Sequence, residues 1–258
     1  MDQSVLETCV IAAVTALATK GAAAPANTLN LLWQATFGRW DPKLAKYVEN
    51  NAKKYANDIG EELDKIPKNS INSDPDISII GPAMEASKYY VGKKEIRKMF
   101  AKLIASEFNL QKADMVHHSF VKILEQMSVN DARFFDVFSR HGVGPIANII
   151  LIQRSSDNQN VLHPFQSNII YYPGIIEDNF VKNAVSIYNL SRLGLFEITF
   201  DSHMTNEAIY DAYKNLTIYA EAKALIEKNP DKYVQIYLEM GRFFLTPYGV
   251  QFRKICID

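Results

Sequence analysis

The stretch Asp74–Ser128, DPDISIIGPAMEASKYYVGKKEIRKMFAKLIASEFNLQKADMVHHSFVKILEQMS, decides how the first half of the chain folds. Its clearest periodic element is Lys93 to Phe108. There Ile96, Met99, Phe100, Leu103 and Ile104 recur at i, i+3, i+4, i+7 and i+8, so one stripe is buried and Lys94, Arg97, Lys98 and Lys102 fall largely outside it. Phe120, Ile123, Leu124 and Met127 repeat the pattern on the next helix. Gly81-Pro82 reads as a helix start, with proline at the first helical position and Glu85 near the positive end of the dipole. Three helices with one apolar face each bury those faces against one another or a partner, which predicts a helical bundle.

Upstream, Asp41-Pro42 reads as a cap followed by a helix with apolar residues at Leu44, Val48, Tyr55, Ile59 and Leu63, stopped before Pro67. Pro67 to Asp76 is a loop by composition. Residues 1–40 form an apolar N-terminal segment. Its run from Cys9 to Ala18 follows acidic Asp2 and Glu7, where a signal peptide wants positive charge, and is too short to span a bilayer. It reads as a packing helix, with an interfacial or oligomer-forming role as the alternative. Near-neutral charge (−1 over 258 residues) removes the argument for bulk attraction to nucleic acid or anionic membrane. Cys9 and Cys256, at opposite ends, make no disulfide framework, and reduced thiols in the cytoplasm are the simpler expectation.

The second half changes character. Ser128-x-x-Asp131 resembles a capping box opening a helix with Phe134, Phe135 and Phe138. Gly142 to Gly174 reads as irregular, with candidate strands at Ile146–Ile152 and Ile169–Tyr172 around a polar loop at 155–160. Glu177 to Leu193 reads as a helix with Phe180, Ala184, Ile187, Tyr188 and Leu190 on or near one face, ended by Gly194. A strand at Phe196–Phe200, a helix at 206–229, a hairpin within Tyr233–Leu245 turning near Met240-Gly241, and a last helix capped by Thr246-Pro247 complete the order. That order is similar to a winged-helix domain. The predicted class is therefore mainly α: a helical region at 1–128 (bundle at 41–128), then a winged-helix-like half at 129–258 with one small antiparallel hairpin and an inserted helix at 206–229.

No motif carries recognisable chemistry. His117 and His118 are adjacent and point to different sides of a helix; Asp114 adds at most one more ligand, so no metal site is expected. His141, His163 and His203 stand alone in sequence, no phosphate loop is present, and no pair of carboxylates stands out as acid and base. No cofactor is expected. The only cations on the winged-helix elements that suit phosphate contacts are Lys182, Arg192 and Arg242, with Glu177, Asp178 and Glu239 close by in sequence.

Four segments, Ile79–Ala86, Arg97–Ser106, His117–Leu124 and Met127–Ala132, read IIGPAMEA, RKMFAKLIAS, HHSFVKIL and MSVNDA. They resemble the shared motifs of the Abi-alpha family, a bacterial group, and the resemblance extends from about Pro42 to the C-terminus. It implies a setting in abortive phage infection and no catalytic residues. The leading expectation is a non-enzymatic cytoplasmic interaction protein with an unidentified protein partner. The alternatives are a nucleic-acid-binding regulator acting through Lys182, Arg192 and Arg242, and a membrane-perturbing effector acting through residues 5–32; self-association into a homo-oligomer is a further expectation.

Overall fold

The computed structural model describes residues 42–154, 160–171 and 179–258, with the single positions Ser4, Thr8, Ile11, Ala12 and Thr15; at 42–50 and 52 it describes the backbone alone. The chain forms two compact units: Met1–Ala132 with Gln251–Asp258, and Arg133–Val250. The N-terminal apolar segment, Asp41, most of the loop at 155–160 and the stretch 172–178 lie outside the described residues.

In the first unit, α1 (Pro42–Asp64), α2 (Ile77–Ser87) and α4 (Ser119–Glu125) all pack on α3 (Lys94–Glu107). The predicted stripe of α3 is buried throughout, as are Tyr55, Ile59 and Leu63 of α1, Ile80 and Met84 of α2, and Phe120 and Leu124 of α4. Two local readings change. Helix α2 starts four residues earlier than Gly81-Pro82, because Asp76 caps it by accepting the Ser78 N–H. Pro82 therefore sits inside the helix, where it has no N–H to give to the helical ladder. Arg97, expected outside the stripe, is buried: its Nε donates to Asp58 Oδ2 at 2.6 Å and its Nη1 to the Val91 carbonyl at 3.0 Å. Lys102, also expected outside, is half-buried and donates to the Ile257 carbonyl, while Lys112 donates to that of Lys254 at 3.0 Å. Two lysines thus complement the negative end of the last helix, whose Phe252 meets Phe120 edge-on at 5.2 Å.

Helix α5 (Val129–Ser139) opens with the reciprocal bonds of a capping box. The Ser128 N–H donates to Asp131 Oδ2 at 2.7 Å, and the Asp131 N–H donates to Ser128 Oγ at 3.1 Å.

The second unit overturns the mainly α, winged-helix-like expectation. Its centre is a curled four-stranded antiparallel sheet in the order β2-β1-β4-β3, built from β1 (Val143–Gln153), β2 (Val161–Ile169), β3 (Phe196–Thr199) and β4 (Tyr233–Leu245). The region read as irregular with candidate strands holds β1, which contains the candidate Ile146–Ile152, and β2, which ends at Ile169 where the second candidate, Ile169–Tyr172, begins. The segment read as a hairpin is one continuous strand, paired with β1 along its length from Val143↔Phe244 to Gln153↔Tyr233 and with β3 from Phe196↔Leu245 to Thr199↔Arg242. Gly241 is there for closeness rather than for turning: a Cβ on it would lie 2.6 Å from the Thr199 carbonyl oxygen and 2.6 Å from the Phe200 ring. With no hairpin in β4 there is no wing.

On one face of the sheet, Ala147, Ile149 and Leu151 of β1 and Leu238 and Met240 of β4 pack under a 3₁₀ helix (Glu207–Asn215) and α7 (Thr217–Lys228), through Tyr210, Tyr213, Leu216 and Ala222. The single inserted helix expected at 206–229 is thus two elements. On the other face Phe243 meets Phe138 at 5.3 Å and Phe196 at 5.6 Å, both edge-on. Helix α6 (Phe180–Arg192) packs against both edge strands, β2 and β3. It ends in a Schellman motif: Gly194, at φ +75°, donates to the Ser191 carbonyl at 2.8 Å, and Leu195 donates to that of Leu190 at 3.0 Å. The last helix, α8 (Pro247–Cys256), begins where Thr246 Oγ1 accepts the Gly249 N–H at 2.9 Å.

Two outcomes follow from this packing. Arg97→Met strands the Asp58 carboxylate and lowers stability by about 3–5 kcal/mol, read as a lower urea midpoint; adding Asp58→Leu restores most of the loss. Gly241→Ala forces β3 away from β4 and costs about 1–3 kcal/mol in the same measurement, a loss that a hairpin-turn glycine followed by a free loop would not show.

Candidate functional site

A polar cluster of the first unit surrounds the start of α2. Asp76 Oδ1 accepts both the Ser78 N–H at 2.7 Å and the Ser78 hydroxyl at 2.6 Å, and Ser78 Oγ lies 2.8 Å from His118 Nε2. The hydrogen bond from Ser78 holds the Asp76 carboxyl below its usual range. The three residues invite a nucleophile reading, but the protons run the wrong way. An ionised carboxylate only accepts, so the Ser78 proton points to Asp76, and His118 Nε2 must carry the proton of its own bond to Ser78. A general base would need that nitrogen bare. The arrangement is a helix cap extended by one histidine.

Behind the cap, the Asp76 N–H donates to Glu107 Oε2 at 3.1 Å, while Asn72 Nδ2 donates to the Glu107 carbonyl at 2.8 Å. Glu107 is 2 % exposed and its Oε1 has no hydrogen-bond partner. Burial pushes its carboxyl up to about 7; the Asp76 N–H bond works against that rise and the Asp76 charge adds to it. Sequence reading passed over Glu107, yet a signal was present: it continues the apolar stripe of α3 at the next helical position, three residues past Ile104.

In the second unit a pocket of about 380 Å³ is lined by Glu207, Ala208, Tyr210, Asp211, Lys214, Leu238 and Met240. Its polar groups are largely committed. Lys214 pairs with Asp211 at 2.7 Å, and Glu207 pairs with His203 at 2.9 Å, so His203 has the carboxylate that its sequence neighbours did not suggest. The Tyr210 hydroxyl donates to the Gly241 carbonyl and accepts the Met204 N–H at 3.1 Å, and burial raises its pKa. These bonds tie the 3₁₀ helix to β4.

The three predicted nucleic-acid contacts lie on two elements. Lys182 and Arg192 are exposed on α6, in its first and last turns. Arg192 leans on Asn189, with Nη2 donating to Oδ1 at 2.8 Å. Arg242 belongs to β4, half-buried, with its guanidinium 5.8 Å from the Phe244 ring and its Nε buried without a hydrogen-bond partner. Glu177 and Asp178 lie outside the described residues.

Helix α6 departs further from its sequence reading. Tyr188, expected in the core, is 63 % exposed, and Val181 and Val185 are 64 % and 65 % exposed. Asn183 and Ser186 are buried instead, beside Phe180, Ile187 and Leu190. At 100° per residue Val181, Val185, Tyr188 and Arg192 fall within about 60° of one another on the solvent side. This helix therefore buries polar groups and presents an apolar ridge.

His117 serves the start of α4: its Nδ1 accepts the Ser119 N–H at 3.1 Å. Among the described residues no group of three or more His, Cys, Asp or Glu side chains could hold a metal ion, and no helix is long and apolar enough to cross a membrane. Residues 5–32, on which the membrane expectation rests, lie outside the described residues apart from Thr8, Ile11, Ala12 and Thr15. Cys256 is buried, which raises its thiol pKa.

The sequence profile described as abortive infection alpha matches residues 47–256. No curated protein and no solved structure matches the chain.

Glu107 makes stability depend on pH. An unfolded glutamate titrates near 4.5, whereas in the fold the proton is held to about 7. The contribution is whole below about 4.5, falls as pH rises toward 7 and is absent above it, a loss of roughly 2–3 kcal/mol. Glu107→Gln keeps an acceptor for the Asp76 N–H without the charge. Its melting temperature relative to the native chain rises between pH 5 and pH 8; a constant difference across that range contradicts the assignment.

Proposed function

The chain belongs to the abortive infection alpha family, and from that premise we propose that it is a non-enzymatic interaction protein of phage defence, acting inside the infected cell by engaging another protein. The family name implies the abortive infection role. The observation that carries the finer reading is the exposed apolar ridge on the outer side of α6. A helix that packs Asn183 and Ser186 inward while holding Val181, Val185 and Tyr188 in water is organised around contact made on its outer side.

The polar clusters support the same reading. Asp76, Ser78 and His118 are engaged in capping, with the serine proton directed at a carboxylate. Glu207, Asp211 and Lys214 at the pocket are engaged in ion pairs with near neighbours. Each interaction stabilises a local turn of backbone and leaves no activated nucleophile on those residues.

The test is a plaque assay in a bacterial host with and without the gene, using a panel of phages. Expression lowers plaque counts for at least one phage, and infected cells stop growing before they release progeny. Equal counts with every phage, or protection in which infected cells survive and divide, contradicts the abortive mode.

A further inference from the structure

Resting on that reading, we propose that the outward face of α6 is the docking surface, and that its partner is a protein presenting an apolar groove rimmed by aspartate and glutamate. Val181, Val185 and Tyr188 stand at i, i+4 and i+7, which makes a continuous ridge of the kind that seats between two rows of side chains on a facing element. Tyrosine suits the centre of such a contact, because it offers a large rigid surface with a polar tip.

The sign of the partner's charge follows from the cations on and beside the ridge. Arg192 lies on it in the last turn of α6, Lys182 lies on its flank in the first turn, about 100° round from Val181, and Phe180–Arg192 contains no carboxylate. They are separated by about 15 Å of helical rise. Carboxylates spaced along a groove rim meet both cations at once, and such rim charges steer encounter and set register.

The same charges argue against a second copy of the chain. Antiparallel pairing of α6 with itself sets the lysine of one copy against the arginine of the other, and parallel pairing sets like against like. A bilayer also fits poorly. Two valines and one tyrosine expose little apolar surface, and even a whole acyl chain holds a protein to a membrane only marginally and reversibly.

The experiment uses the full chain and two labelled helical peptides of about 20 residues, each with a leucine stripe, one flanked by glutamates and the other by lysines. Fluorescence anisotropy reads binding. The glutamate peptide binds about tenfold or more tightly than the lysine peptide. Val185→Asp and Tyr188→Asp, both on the solvent side, weaken it by about tenfold or more while circular dichroism and the urea midpoint stay unchanged. Lys182→Glu with Arg192→Glu reverses the preference in favour of the lysine peptide, an exchange that a purely structural role for these residues does not produce.

Several results overturn the proposal. Equal binding of the two peptides, binding of neither, or indifference to Val185→Asp each does so. Binding to duplex DNA, or to phosphatidylcholine vesicles with about one quarter phosphatidylserine, that Val185→Asp abolishes assigns the face to another class of ligand. A dimer by light scattering that the same substitution dissociates assigns it to self-association. The plaque assay separates the two levels. Protection by the native chain and equally by the folded Tyr188→Asp variant removes this surface and leaves the defence role standing. No protection by the native chain removes the defence role, and the peptide titration still decides the surface.

Discussion

The antiparallel pairing of β1 with β4 is the interaction on which the second unit depends. The two strands exchange hydrogen bonds from Val143↔Phe244 to Gln153↔Tyr233, and the register sets Ala147, Ile149 and Leu151 opposite Met240, Leu238 and Ile236 on one face. Alternation then assigns every other side chain to the opposite face, where Phe243 gathers Phe138 and Phe196. A one-residue slip would send both sets to the wrong sides. Gly241 permits the close approach of Thr199 and Phe200 that lets β3 complete the sheet.

A curled sheet of four strands leaves two edges, and exposed edges invite pairing with other chains. Helix α6 packs against both edge strands. That position explains why its inner side holds Asn183 and Ser186 among Phe180, Ile187 and Leu190. On the opposite side Val181, Val185 and Tyr188 are exposed. The functional reading of the chain therefore comes from its strand pairing, one step removed from the residues that would touch a partner.

The first unit follows a different logic. Helix α3 is the element on which the other helices pack, and its two ionisable intruders are handled separately. Arg97 is paired with Asp58 and supported by the Val91 carbonyl. Among the described residues no cation contributes to the shift of Glu107. It accepts one backbone N–H, and its second oxygen is without a partner, so the fold favours the protonated form. One buried group is paired across the bundle, and the other follows the medium.

Local chemistry was legible in the residue order wherever a short-range rule governs it. The α3 stripe, the Ser128–Asp131 capping box, the Gly194 helix stop and the Thr246 cap each involve residues within one or two turns of each other, so spacing alone identified them. The family was legible for a similar reason, since its motifs lie on these same short helices. What tertiary structure alone decided was everything whose partner is remote in sequence. Short apolar runs such as Ile146–Ile152 became strands because β4, some ninety residues on, supplies their hydrogen bonds. Gly241 looked like a turn because a glycine's reason for being small can lie in another strand. Tyr188 looked like core because helical periodicity marks which residues share a face, and only the packing of α6 on two sheet edges determines which face meets water.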